Sequence, residues 1–88
     1  MFLVAEVVWD DWNEAHIARH GVTPDEVEDV VFSPPLWVER RGNGTYIVLG
    51  TTRGGRYLLV VLAPRGGSAY YVVTVRDMTP AERRRYTR

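Results

Sequence analysis

Apolar positions along this chain follow two different periods. Between residues 24 and 33 they fall at helical spacing, where Val27, Val30 and Val31 make one stripe among acids. Thr23-Pro24-Asp25-Glu26 in front of that stripe predicts a helix start: Thr23 as N-cap, Pro24 at the first helical position, Glu26 closing a capping box. The acids there suit the positive end of the helix dipole. Ser33-Pro34-Pro35 ends the helix. An earlier helix is predicted over residues 11–20, capped by Asp10 or Asp11 and stopped at Gly21. Residues 4–9 precede it as a short apolar strand or extended segment.

From residue 36 onward the pattern is that of strands, over 36–39, 45–52, 57–63 and 69–76, with glycine turns at 53–56 and 64–68. The run Tyr57-Leu58-Leu59-Val60-Val61-Leu62-Ala63 is apolar throughout, as in a central strand covered on both faces. Thr79-Pro80-Ala81-Glu82 repeats the capping-box pattern and starts a short C-terminal helix. The order β-α-α-β-β-β-β-α predicts an α+β fold: two N-terminal helices packed on a four- to five-stranded antiparallel sheet, then a short C-terminal helix. If Tyr71, Val73 and Val75 face the helices, strict alternation puts Tyr70, Val72, Thr74 and Arg76 on the opposite face.

Eighty-eight residues make one domain, 1–88, with a single modest core. The chain has no cysteine, which excludes disulfides, thiolate catalysis and Cys-type zinc sites and fits a reducing cytoplasm. Its first residues lack the basic region of a signal peptide, and no apolar run reaches membrane-spanning length, so a cytoplasmic location without membrane contact is expected.

Charge changes the picture more than composition does. Residues 1–39 hold nine acids and one base, Arg19, whereas residues 40–88 hold ten arginines and two acids, Asp77 and Glu82. The halves carry −8 and +8 under a net charge of zero. An all-arginine basic half flanking strands points to a surface that holds phosphates.

Three sets of residues then carry candidate chemistry. His16, Arg19 and His20 lie near the end of the first helix. His16 and His20 share a helix face, but they lack the HExxH pattern and a third ligand, so no metal or other cofactor is expected. His16 is read as packing against Trp12. His20, beside Arg19 and Gly21, either bonds at the helix end or projects as a proton-transfer group. The second set is Arg76, which ends a strand, with Glu82, Arg83 and Tyr86 in the tail. Glu82 can equally serve only its capping box. Arg53, Arg56 and Arg65 at the glycine turns are the third set, serving either solubility or RNA backbone contacts. The sheet tyrosines Tyr46, Tyr57 and Tyr70 are read as packing across the sheet, with Tyr70, in alternation with Arg76, the one best placed to stack a base instead.

Val8-Trp9-Asp10-Asp11-Trp12-Asn13 followed by His16-Ile17-Ala18-Arg19-His20-Gly21-Val22 resembles the N-terminal signature of the BrnT family. Residues 26–36, the hairpin around Tyr46–Gly50 and Gly55–Val61, and Val73-Thr74-Val75-Arg76 with Glu82-Arg83-Arg84-Arg85-Tyr86 resemble the rest of that family in order. The resemblance implies a RelE-like toxin of a type II toxin–antitoxin system, a ribonuclease that stops translation. It implies neutralisation by a ribbon-helix-helix antitoxin, BrnA-like and heterotetrameric with the toxin, with DNA contacted only through that antitoxin. The functional pair it implies maps onto Arg19 and His20, the strand-end arginine onto Arg76, and the tail acid and tyrosine onto Glu82 and Tyr86. Thr45 stands where the family has an arginine, and His16 where it has an asparagine. A non-catalytic RNA- or ribosome-binding module, and a protein-binding partner of a repressor docked through acids 25–29, are the competing readings.

Overall fold

The computed structural model of the chain describes residues 2–88. Its elements are β1 (Glu6–Val8), α1 (Asp11–Ala18), α2 (Pro24–Val31), β2 (Trp37–Arg40), β3 (Tyr46–Thr51), β4 (Tyr57–Pro64), β5 (Ala69–Asp77) and α3 (Pro80–Thr87). The fold is α+β, with all five strands in one sheet of order β1-β5-β4-β3-β2. Strands β2 to β5 pair antiparallel, as expected. β1 does not: it runs parallel to β5 at the sheet edge. Its partner is distant in sequence, so no hairpin imposes an antiparallel sense.

All three helices start on capping boxes: Asp10 with Asn13, Thr23 with Glu26, and Thr79 with Glu82. α1 ends at Ala18, earlier than the spacing predicts, and the chain turns through Arg19 to Gly21, which has φ +68°. Asn13 is completely buried, and its amide donates to the carbonyls of Val8 and Val72. One side chain therefore ties α1 to both β1 and β5.

β4 divides the core, as its unbroken apolar run requires. Leu58, Val60 and Leu62 pack with Ile17, Val27, Val30 and Val31 under α1 and α2. Leu59 and Val61 join Leu49 and Met78 on the other face, beside Tyr86 of α3. Gly50 of β3 lies where α2 and the segment that follows it leave no space for a side chain: a Cβ there meets Val30 Cγ1 at 2.7 Å and Leu36 Cδ2 at 2.9 Å.

A β-bulge corrects the facing expected for β5. Val61 pairs with Thr74 but Leu62 pairs with Val72, so Val73 is an extra residue. Val72 and Val75, three positions apart, consequently enter the same core, under α1 and α2. Tyr70 lies on that side too, 8% exposed, in an aromatic cluster with Phe2 and Tyr46. It is not in register with Arg76 and offers no free ring face to a base.

Candidate active site

Arg56 organises the corner where α1 ends and β5 ends. Its guanidinium donates to the carboxylate of Asp77 at 2.9 Å and 3.3 Å, to the Gly21 carbonyl at 2.8 Å, to the His20 carbonyl at 3.4 Å, and to Glu26 at 3.3 Å. The Arg56 side chain thus reaches from the β3–β4 turn across to α1 and α2 rather than into solvent. Arg56 holds the Asp77 carboxyl below its ordinary range, chiefly through the direct hydrogen bond, and Asp77 raises the guanidinium in return. Through this clamp the backbone of His20 is fixed to the residue that follows Arg76.

Arg76 makes a two-pronged pair with Glu82, Nη1 to Oε1 at 2.8 Å and Nη2 to Oε2 at 2.9 Å, and Nη1 also donates to the Asp77 carbonyl. Glu82 accepts from the Thr79 backbone N–H as well. These bonds, above all those from Arg76, pull its carboxyl from 4.5 to about 2. At neutral pH Glu82 is therefore an ionised positioning group with no proton to give. Arg76 spends three of a guanidinium's five N–H donors on these contacts, which leaves two.

The tail is laid over aromatic rings. Arg83 stands 4.1 Å above the Tyr57 ring and Arg85 5.2 Å above Trp37. The Tyr86 hydroxyl donates to the Pro35 carbonyl, and its ring meets Tyr57 edge-on, so it anchors α3 to the sheet. The remaining turn arginines lie apart from this corner. Arg53 is bound through Nε and its backbone N–H to Asp29 of α2. Arg65 caps the Tyr71 ring towards the opposite end of β5, five residues (~17 Å) along the strand from Arg76.

The first-helix set adopts the expected packing and adds to it. The His16 ring stacks on Trp12 with centroids 5.0 Å apart and planes 5° apart, and its Nε2 lies 3.0 Å from Thr74 Oγ1 on β5. His20 meets His16 edge-on at 5.6 Å, and both Arg19 and His20 are exposed. The acids of α2 are largely engaged: Glu26 on Arg56, Glu28 on the Trp9 indole and Asp29 on Arg53. Sequence reasoning passed over Asp77 as the partner of Arg56, and Trp37 and Tyr57 as rings beneath the tail arginines. Their signal was only the chain's pairing of scarce acids and aromatics with arginine.

Among the described residues no group of three or more His, Asp or Glu side chains is placed to hold a metal ion, and no helix is long and apolar enough to cross a membrane. The family model described as ribonuclease toxin, BrnT, of type II toxin–antitoxin system matches residues 9–82. No curated protein matches the chain.

Proposed function

The chain belongs to the BrnT family of ribonuclease toxins of type II toxin–antitoxin systems, and on that premise we propose that it cuts RNA without a metal ion and so stops translation. A base removes the proton of a ribose 2′-OH. The 2′-oxygen attacks the adjacent phosphorus, the bond to the 5′-oxygen breaks, and an acid protonates that leaving oxygen. His20 is assigned to proton transfer. Arg76, with Arg19 beside His20, is assigned to the charge that develops on the phosphorus oxygens. The observation that carries this reading is the Arg56 clamp, which joins the His20 and Gly21 carbonyls to Asp77, next to Arg76. Arg83, above Tyr57, supports the strand further along, whereas Arg56 acts through its clamp. The partner proposed is a BrnA-like ribbon-helix-helix antitoxin in a heterotetramer, in the cytoplasm, with DNA reached only through it.

A second reading, a non-catalytic RNA- or ribosome-binding module, draws on a specific observation. Glu82 is ionised and paired, and the Tyr86 hydroxyl is committed to Pro35, which leaves His20 without an evident second proton-transfer partner in the tail. Cleavage of a short RNA by purified protein in chelator separates the two. The ribonuclease reading expects cleavage, with Arg76→Ala slower by roughly 100- to 1000-fold. A change below about threefold removes Arg76 from the chemistry, and binding without cleavage by the folded parent chain establishes the second reading.

A further inference from the structure

We propose that Trp12, backed by His16, is a stacking platform for an unpaired nucleobase of the RNA, a binding subsite that leads to the corner of His20 and Arg76. The identity of the strand rests on the ribonuclease reading above.

Four observations carry the inference. Trp12 is 61% exposed, with Leu3 at 60% one of the two most exposed large apolar side chains among the described residues, yet its ring is not loose. One ring face is held parallel against His16, and His16 is itself anchored to Thr74 on the rigid β5. A platform fixed in this way loses little freedom when a base lands on it. Next, Trp12, His16 and His20 follow at four-residue steps, so the aromatic line runs along α1 towards its end. Thr74 lies two residues before Arg76 on the same strand, so the platform is coupled to the strand that carries the candidate phosphate-binding arginine. Finally, helical spacing puts Arg19 on the flank of Trp12 and His16, while the acids of α1, Asp11 and Glu14, fall on the other exposed flank. An anionic strand that runs from the platform along this flank reaches Arg19 two helical turns (~10 Å) on. An exposed, pre-oriented indole beside arginine fits single-stranded RNA, whose bases stack on aromatic rings irrespective of sequence.

The test uses binding, so that it does not depend on cleavage. A short 2′-O-methyl oligoribonucleotide, which cannot be cut, is titrated by anisotropy into the parent protein, Trp12→Ala and Trp12→Phe. A strand of equal length built of abasic sites is titrated in parallel. Trp12→Ala should weaken the base-bearing strand by roughly 5- to 100-fold, Trp12→Phe should retain most of the affinity, and the abasic strand should not respond to either change. Because Trp12 is exposed, both variants should keep the parent's melting temperature. Unchanged binding by Trp12→Ala overturns the platform even if cleavage persists, and equal weakening on the abasic strand overturns stacking as its mode. Loss of antitoxin binding with RNA binding intact reassigns the indole to the protein partner. Binding that depends on Trp12 in a protein that never cuts RNA keeps the platform and removes the ribonuclease reading. Failure of the parent to bind either strand removes both.

Discussion

At the scale of single residues, the Arg76–Glu82 pair decides how the candidate centre responds to acid. Glu82 ionises near 2 in the fold, against 4.5 for the free side chain. A depressed carboxyl adds stability that is complete above its unfolded pKa and fades as pH falls through the folded one. The contribution of this pair should therefore disappear between about pH 4.5 and pH 2. Its size is on the order of 1–2 kcal/mol, because Arg76 is 43% exposed and solvent screens the pair. Glu82→Gln should be less stable than the parent at neutral pH and should converge with it near pH 2, which paired urea melts across that range would reveal. A constant gap at all pH values would show that the charge of Glu82 is not what stabilises the fold, since Gln keeps an acceptor for the Thr79 N–H. The same variant frees Arg76 from its partner. RNA binding should then hold or tighten while cleavage falls, since the guanidinium is no longer aimed.

At the scale of elements, what local spacing specifies was legible in the sequence, and the contacts that seat the first helix and set the facing of β5 were not. The capping boxes at Thr23 and Thr79 and the two-sided burial of β4 could be read directly, because local spacing alone specifies them. The role of Asn13 could not be read: its partners, Val8 and Val72, are brought to it only by the parallel pairing of β1 with β5. The bulge at Val73 was equally silent, and it inverted the facing of Tyr70 relative to Arg76. Half of the candidate site was thus visible as residue types, while the Arg56 clamp that assembles it required tertiary structure. Asn13→Ala leaves two strand carbonyls without their donor and removes an N-terminal box, which should cost roughly 3 kcal/mol. Thermal melting should fall by ~12–24 °C for a domain of this size. Gly50→Ala should cost roughly 1–3 kcal/mol, since the new methyl group fits only if the Val30 and Leu36 side chains give way or α2 lifts from β3. A melting temperature within a degree or two of the parent would show that α2 is held less closely than this geometry implies.

For the whole molecule, the division into acidic and basic halves does not become two open poles. Both acids of the basic half are bound to arginine, Asp77 to Arg56 and Glu82 to Arg76. Glu26 and Asp29 of the acidic half reach across to Arg56 and Arg53. What remains for a polyanion is a subset of the arginines, with Arg83 and Arg85 laid over rings on the α3 face. Counting arginines therefore overstates the phosphate-binding surface, and salt dependence can measure by how much. Each phosphate contact on single-stranded RNA adds about 0.7 to the slope of log K against log salt. Arg83→Gln and Arg85→Gln should each lower that slope by about 0.7, and a double variant by about twice as much. Arg53→Gln should leave the slope unchanged, although the Arg53 side chain is 87% exposed, because its charge is already matched by Asp29. A slope that falls equally for Arg53 and Arg83 would mean that the intramolecular pairs open for RNA. The arginine half would then bind as one continuous surface, with the ring-seated arginines having no special place in it.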